Sequence, residues 1–370
     1  MRLLIDIGHP AHVHLFKNFY YEMVRRGHES LVTVKEIPAA IQLLDIYKIP
    51  FISIGSKSDG ILKKAFNQFS YNKSILSLVR DHKIEMGLGT SITLAHVSAI
   101  SGMRSLVFDD DDDDVQPLMT YMGHPFADHV ISPDALKGKR RKRSTVFYKG
   151  YHELAYLHPD VFIPDRRVLA EAGLNENEPF FILRFNAFRA HHDRNARGLS
   201  DNQKKEIVRY LEQHGRIIIT SESLTGQEFK KYQIRISSEK IHSLIYFSTM
   251  LVGESQTMTS EASVLGVPSI RCNTFAGRLS VLEEEEKKYG LTYAFSPDEF
   301  DKMMDKLKEL LAIPGLRDEW HRKRKIMIDE KINVTSFMVW LAENYPESIR
   351  VMKENPEYQN KFLSQLPPII

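Results

Sequence analysis

Three loops of this sequence carry residue types that could bind or activate a substrate, and the first spans residues 8–12, Gly-His-Pro-Ala-His. Gly8 lets a ligand approach the backbone closely, and the free amides of the helix predicted to follow favour an anion or a polar oxygen. His12 could act as a general base, because an imidazole exchanges protons near neutral pH. On these residues alone, a capped turn with solvated histidines is the simpler interpretation.

The second loop, residues 186–200, is rich in cations and hydrogen-bond donors. It contains Arg189, His191 and Arg194 between a predicted strand and a predicted helix. These side chains suit a diphosphate, since guanidinium groups bind phosphate oxygens through paired hydrogen bonds. Adjacent histidines in a loop are poor evidence for a metal, and a solvated polar loop is the alternative to a phosphate site.

The third loop begins at residue 253 and opens a predicted helix with small polar side chains. Ser255, Gln256 and Thr257 stand at the predicted helix N-terminus, where free amides and the helix dipole can hold a phosphate. Glu261, inside the first helical turns, could accept hydrogen bonds from the two hydroxyls of a ribose. An acidic residue near a helix N-terminus is also favourable without any ligand.

Two runs of like charge are the least ordinary features of the chain. Residues 109–114 are six consecutive aspartates after a predicted strand, and residues 137–143 hold six basic residues around one glycine. Asp109 or Asp110, nearest the strand end, could act as a general base, or carboxylates could bind a divalent cation. Charges this dense repel, so only one or two should be functional. The basic run could contact anionic lipid or a polyprenyl-phosphate acceptor, although a solvated loop is the simpler interpretation.

The scaffold that must position these loops is predicted from alternating apolar runs and helical periodicities. Six short runs predict strands in the first half of the chain: residues 3–7, 31–34, 51–54, 85–88, 105–108 and 129–131. Helix-like segments between them favour βαβ units and a parallel sheet. A second series begins at residue 180, and in such sheets ligands bind beyond the carboxyl ends of the strands. His152, in the joining segment, could also reach a ligand, with tyrosine packing as the simpler explanation.

Composition restricts the class of protein. The 370 residues are 42% hydrophobic and 26% charged, which is typical of a globular chain of about two domains. The net charge of +2 argues against a nucleic-acid binder. No apolar run approaches the roughly 20 residues that span a membrane, and the first residues do not resemble a signal peptide. The single cysteine, Cys272, favours a reducing, cytoplasmic location.

The third loop resembles the donor-nucleotide motif of the GT-B superfamily, because Glu261 is followed by an apolar helix and by Gly266-Val267-Pro268. Residues 8–12 are similar to the glycine-histidine loop of the peptidoglycan N-acetylglucosaminyltransferase. The chain as a whole resembles an uncharacterised bacterial and archaeal family, a domain of unknown function that is glycosyltransferase-like. The resemblance implies an α/β, GT-B fold of two Rossmann-like domains whose parallel sheets face a central cleft, with C-terminal helices that cross back to the first domain.

This resemblance implies an N-terminal acceptor domain at residues 1–160, a nucleotide-sugar donor domain at 161–332, and a C-terminal helix and tail at 333–370 packing on the first domain. The implied activity is transfer of a sugar from a nucleotide diphosphate-sugar to a hydroxyl acceptor in glycan or polysaccharide biosynthesis. A lipid-linked acceptor and peripheral contact with the inner face of a membrane are compatible with it. No cofactor or bound metal is expected, since helix dipoles and basic side chains can stabilise the departing nucleotide.

The site residues combine the chemistry of the loops above with this resemblance. The predicted catalytic residues are His12, Asp109 and Asp110. The predicted donor-binding residues are Gly8, Arg189, His191, Arg194, Ser255, Gln256, Thr257 and Glu261.

The hydrolysing UDP-N-acetylglucosamine 2-epimerase is a rival with the same fold. Residues 87–95 and 254–262 resemble two of its motifs, so the likeness covers both halves of the chain. The aspartate that its acid/base chemistry needs falls at Gly89, however, and its first-loop arginine has no counterpart. Proton removal at a sugar carbon requires placed titratable groups, which weakens this alternative. A third hypothesis is a nucleotide-sugar-binding protein without turnover.

Overall fold

The computed structural model describes residues 1–56, 61–185, 198–221, 227–234 and 236–364. These residues form two compact units. The first comprises Met1–Val161 and the chain from Glu330 onward, and the second comprises Phe162–Asp329. Among the described helices, none combines the length and the apolar character that a membrane span requires.

A parallel sheet forms the centre of the first unit. Its strands are β1 (Arg2–Ile7), β2 (Glu29–Glu36), β3 (Ile52–Ser56), β4 (Met86–Gly89), β5 (Arg104–Phe108), β6 (His129–Pro133) and β7 (Val146–Tyr148). Within the described residues this sheet has seven strands in the order β3-β2-β1-β4-β5-β6-β7. The apolar run of β1 is buried from Leu3 to Ile7, as expected for a central parallel strand covered on both faces.

Among the described residues, four helices connect the first five strands in βαβ units: α1 (Pro10–Arg25), α2 (Pro38–Ile46), α3 (Ile61–Asp81) and α4 (Ile92–Ile100). The short α5 (Leu154–Leu157) follows β7. Helix α1 buries Val13, Phe16, Phe19 and Met23, which recur every three or four residues and face the sheet. The helix starts at Pro10, whose fixed φ suits the first helical position.

A second parallel sheet forms the centre of the second unit. Its strands are β8 (Phe180–Phe185), β9 (Arg216–Ser221), β10 (Met250–Gly253), β11 (Ser269–Cys272) and β12 (Thr292–Phe295), in the order β12-β11-β10-β8-β9. The helices are α6 (Arg167–Glu171), α7 (Asp201–Leu211), α8 (Ile241–Phe247), α9 (Gln256–Leu265), α10 (Ser280–Lys287), α11 (Phe300–Leu311) and α12 (Leu316–Glu330). Two parallel sheets confirm the predicted α/β class.

The last two helices return to the first unit. Helix α13 (Val334–Glu343) is capped by Asn333, whose side chain accepts from the Ser336 amide at 3.0 Å, and α14 (Glu347–Glu354) follows it. Phe337 is fully buried with its ring 5.8 Å from that of Tyr148. The Thr335 hydroxyl donates to the Ala155 carbonyl at 2.7 Å. The C-terminal helices therefore complete the core of the first unit, as the fold prediction required.

Candidate active site

The first predicted loop lies between β1 and α1, at the carboxyl end of a central strand. His9 caps α1, and its Nδ1 atom accepts from the Ala11 amide at 3.2 Å. The half-buried His12 side chain turns back toward the strand, where its Nδ1 atom accepts from the Gly8 amide at 3.2 Å. Gly8 and His12 are thus joined within one turn at the sheet edge.

His12 is held in its neutral form. The Thr90 hydroxyl oxygen lies 2.9 Å from its Nδ1 atom and 2.8 Å from its Nε2 atom. Burial, followed by the charges of His9 and His152, lowers the pKa of His12 well below its ordinary value. Because Nδ1 accepts from Gly8, the proton of the neutral ring belongs on Nε2, where it can be donated. The predicted base function of His12 stays a prediction.

Thr90 is positioned by the loop between β4 and α4. Ser91 caps α4 by accepting from the Leu94 amide at 3.2 Å, and it donates its hydroxyl to the buried Asp6 carboxylate in β1. A side chain at Gly89 would place Cβ 2.9 Å from the Asp6 carbonyl oxygen, so the close approach of β1 and β4 requires glycine. The aspartate of the epimerase motif is therefore missing at a position with no room for it.

Asp109 contributes its carboxylate to the interior of the fold. Its Oδ2 atom lies 2.7 Å from His124 Nε2 and 3.3 Å from Arg140 Nη1, and its Oδ1 atom accepts from the Asp111 amide at 3.2 Å. Both carboxylate oxygens therefore already accept hydrogen bonds from the protein. The structure gives Asp109 an evident structural function, and its function as a base stays a prediction.

Part of the basic run is paired with part of the aspartate run. The buried Arg140 guanidinium lies 2.6 Å from Asp113 through Nη1 and donates to the Asp109 carbonyl at 2.6 Å through Nη2. Lys139 approaches Asp112 at 3.8 Å. Residues that are widely separated in the sequence thus form one ion-pair network beyond the ends of β5 and β6. Like-charge repulsion within each run is offset by this pairing.

Asp110 is directed differently from its neighbour. Its Oδ2 atom lies 3.1 Å from His152 Nδ1, in the segment between β7 and α5. Burial would raise the pKa of Asp110, but the adjacent His152 charge and hydrogen bond bring it below its ordinary value. Burial likewise opposes a charged His152, yet Asp110 outweighs that effect and raises the pKa of the imidazole. Among the described residues, no group hydrogen-bonds His152 Nε2.

The Asp110–His152 pair is arranged as a carboxylate-oriented imidazole. One ring nitrogen faces the carboxylate, and the other is buried with no hydrogen-bond partner among the described residues. The charges of both residues act on His12, so the three side chains lie within electrostatic range at the carboxyl end of the first sheet. His12, Asp110 and His152 therefore lie near one another at this edge of the sheet, and the sequence did not indicate that His152 is the partner of Asp110.

Asp111 completes a group of three carboxylates. Oxygen atoms of Asp109, Asp110 and Asp111 lie within 4.8 Å of one another, an arrangement of hard oxygen ligands that suits a divalent cation. Burial and the neighbouring aspartates raise the pKa of Asp111 to about 7, and it accepts a hydrogen bond from Gln116. Independence from a divalent cation stays a prediction.

The third predicted loop lies between β10 and α9 in the second unit. Ser255 is the N-cap of α9, and its hydroxyl accepts from the Met258 amide at 3.3 Å. Ser255, Gln256 and Thr257 are half-buried at the carboxyl end of the sheet. The helix ends at Gly266 with φ 73°, a left-handed conformation that favours glycine. Both ends of α9 thus match the predicted helix, and its first turn presents backbone amides.

Glu261 lies in the second turn of α9 and is nearly buried. Its Oε1 atom is 2.9 Å from Nε2 of His242 in α8. Glu254, directly after β10, accepts from the Leu199 amide at 2.7 Å and so fixes the last part of the second loop. Arg189, His191 and Arg194, the predicted cations of that loop, lie outside the described residues.

Thr90 and Arg140 are residues whose importance sequence reasoning missed, and His152 was named only with tyrosine packing as the simpler explanation. Their partners are far away in the chain, so local spacing does not indicate them. Tyrosines surround His152 in the sequence and favoured a packing interpretation. The position of His152 shortly after β7 was the usable signal, but β7 has three residues and was not predicted as a strand.

Comparison with known proteins gives the class first. The structure of the Neisseria meningitidis UDP-GlcNAc 2-epimerase bound to UDP-GlcNAc matches with a TM-score of 0.66 at 11% identity, covering 93% of this chain and 100% of that one. The Streptomyces sp. SF2575 glycosyltransferase SsfS6 matches with a TM-score of 0.58 at 12% identity, covering 93% and 100%. The chain is therefore an α/β protein of the GT-B fold.

The chain belongs to the family described as "Protein of unknown function (DUF354)", which it matches over residues 1–286. One relative of this chain is the uncharacterized protein MJ0665 of Methanocaldococcus jannaschii. It is 22% identical over 283 residues, which cover 72% of this chain and 80% of the relative. Membership confirms the resemblance found in the sequence.

Proposed function

We propose that this protein is a glycosyltransferase that moves a sugar from a nucleotide diphosphate-sugar to a hydroxyl acceptor in glycan or polysaccharide synthesis. The observation that carries the proposal is the half-buried first turn of α9, which follows the central strand of the second sheet with Ser255 as its cap. Such a turn combines free amides with the positive end of the helix dipole, and both favour a diphosphate.

The second unit binds the donor in this proposal. Ser255, Gln256 and Thr257 contact the phosphates, and Glu261 accepts hydrogen bonds from the ribose hydroxyls. His242, which pairs with Glu261 at 2.9 Å, holds that carboxylate in place or yields to the ribose. Arg189, His191 and Arg194 add hydrogen bonds to the phosphates, so that helix dipole and cations stabilise the leaving nucleotide without a metal ion.

The first unit supplies the base. His152 accepts the acceptor hydroxyl proton at Nε2, while Asp110 holds Nδ1 and stabilises the imidazolium that forms. The acceptor oxygen then bonds to the anomeric carbon as the bond from that carbon to the nucleotide diphosphate breaks. Neutral His12 and Thr90, joined through Nε2 and the Thr90 hydroxyl, help to orient the reacting sugar or acceptor.

Calorimetric titration with UDP and GDP tests donor binding. Wild type should bind one of them, and Glu261→Gln should bind it about tenfold or more weakly, because a carboxylate accepts from two hydroxyls better than an amide does. Glu309→Gln, on the exposed side of α11, is the matched control and should bind like wild type. Failure of the wild type to bind any nucleotide, or undiminished affinity in Glu261→Gln, contradicts the proposal.

A sugar-nucleotide 2-epimerase is the second candidate, and the Asp110–His152 pair favours it specifically. The sequence lacks an aspartate at Gly89, but this pair offers another acid/base group at the same sheet edge. An epimerase would introduce solvent deuterium at C2 of UDP-N-acetylglucosamine without any acceptor. A transferase leaves that position unlabelled, and a protein that only binds the nucleotide sugar forms no product with any acceptor.

A further inference from the structure

Exposed apolar side chains are concentrated beyond the end of β5. Leu118, Tyr121, Met122 and Phe126 are 66%, 57%, 48% and 48% exposed. All four lie in segment 118–126, which includes a π-helical turn at Met119–Gly123 and a 3-10 turn at His124–Phe126. A cluster of large apolar side chains on one segment marks an interaction surface more strongly than scattered ones do.

The backbone of segment 118–126 is fixed from its inner side. Buried His124 pairs with Asp109 at 2.7 Å, and Lys142 Nζ donates to the His124 carbonyl at 2.6 Å. His96 of α4 hydrogen-bonds the Met122 carbonyl at 2.7 Å. These contacts hold the segment while its apolar side chains stay in solvent, so their exposure is built into the fold.

The side chains of the basic run at residues 137–143 fall into two groups, one directed into the fold and one directed to solvent. Arg140 and Lys142 are used internally, by the aspartate network and by backbone carbonyls respectively. Lys137, Lys139, Arg141 and Arg143 are exposed. Four of the six cations in the run are therefore presented outward.

The apolar and basic surfaces are contiguous. The Arg141 guanidinium lies 5.1 Å from the centre of the Tyr121 ring, and Nη1 also hydrogen-bonds the Tyr121 hydroxyl. This contact joins the exposed cations to the apolar segment. A surface with aromatic and aliphatic side chains at its tip and cations beside them matches the boundary between lipid headgroups and acyl chains.

We propose that segment 118–126 and the outward cations of residues 137–143 form a docking surface for a bilayer that contains anionic lipid. Leu118, Met122 and Phe126 enter the acyl boundary, Tyr121 lies at the headgroup level, and Arg141 and its neighbours bind lipid phosphates. Positive charge alone would suit a nucleic acid, but exposed Leu118 and Met122 would gain nothing from a phosphate backbone. The surface stands independently of the reaction that the protein catalyses.

Co-sedimentation of the full chain with vesicles tests the proposal. Vesicles of phosphatidylcholine alone are compared with vesicles that also contain phosphatidylglycerol, at low and high salt. Wild type should bind the anionic vesicles more strongly, and added salt should weaken that binding. Tyr121→Ser/Met122→Ser should lower the partition coefficient about tenfold, and Arg141→Glu/Arg143→Glu should lower it at least about fivefold per charge.

Matched controls use exposed residues of the second unit. Ile163→Ser and Lys302→Glu/Lys308→Glu remove comparable apolar surface and charge, and they should bind vesicles like wild type. Circular dichroism first checks that each variant melts at the wild-type temperature. If Tyr121→Ser/Met122→Ser does not, Leu118→Ser/Phe126→Ser takes its place. The proposal is overturned if the wild type does not bind vesicles, or if its binding does not depend on anionic lipid. It is also overturned if the folded variants bind vesicles as strongly as the wild type does. Loss of self-association in the variants, without vesicle binding by wild type, assigns the surface to a second copy and overturns it too.

Discussion

Asp109 and Asp110 are adjacent and chemically identical, yet they have opposite surroundings. Asp109 is paired with His124 and Arg140 inside the fold, whereas Asp110 pairs with His152. The partners of the two carboxylates come from different segments of the chain, which explains the division. The sequence indicated that the general base among the six aspartates is Asp109 or Asp110. The choice between them depends on partners that are brought close only in the folded chain.

At this scale, Asp110→Asn and His152→Gln should each lower kcat about a hundredfold or more, because each removes a part of the proposed base.

The pH dependence of the activity has a defined sign. Asp110 raises the pKa of His152, so activity should fall as the pH drops through a value above the ordinary imidazole pKa. In Asp110→Asn this acidic limb of the kcat/KM profile should move to lower pH.

Asp114→Asn is the control for that experiment, because Asp114 is an exposed member of the same run. It should retain the wild-type profile. An acidic limb that stays in place in Asp110→Asn would show that the pair does not govern proton transfer. A loss of activity with unchanged pH dependence would point to a structural function of Asp110 instead.

At the scale of elements, Arg140 ties together the segments that follow β5 and β6. Its buried guanidinium faces the carboxylates of Asp109 and Asp113 and the Asp109 carbonyl. Removing one partner of a buried charge pair leaves the others without compensation. The stability of this edge of the sheet therefore depends on a residue that the sequence presents as one of six similar cations.

Arg140→Ala should lower the free energy of unfolding by about 3–5 kcal/mol, as measured by urea denaturation. Lys139→Ala, whose pair with Asp112 is long at 3.8 Å and whose side chain is exposed, should change it by less than about 0.5 kcal/mol. If Arg140→Ala and Lys139→Ala lowered the free energy of unfolding equally, the division of residues 137–143 into internal and outward cations would be wrong.

The sequence predicted those elements that depend on a local pattern of apolar residues. The apolar run at residues 3–7 predicts β1 because burial on both faces needs no knowledge of distant partners. Strand β7 was missed because three residues between a charged run and a tyrosine-rich segment carry little periodic signal. The Asp110–His152 and Arg140–Asp113 pairs were out of reach because they are contacts between elements.

At the scale of the whole molecule, the first unit is built from two separate stretches of chain. Phe337 of α13 is fully buried against Tyr148, while the second unit lies between these stretches in the sequence. A core residue near the C-terminus therefore stabilises strands near the middle of the chain. Its influence should stop at the boundary of its own unit.

Phe337→Ala should destabilise the first unit by about 3–5 kcal/mol, because it removes a buried aromatic ring. Hydrogen exchange should show faster opening of β6 and β7 and unchanged protection of β10 and β11. Leu307→Ala, at a fully buried position of α11 in the second unit, should give the reverse pattern. Uniform loss of protection in either variant would mean that the two units unfold as one.

The divided first unit also sets an order of events during synthesis. Residues Met1–Val161 leave the ribosome first, but α13 follows only after all of Phe162–Asp329 has been made. At about 5–20 residues per second, that interval lasts roughly ten to thirty seconds. Throughout it, the surface of α1 and α5 that α13 will cover faces solvent, so the nascent chain stays open to aggregation or chaperone capture until α13 has been made.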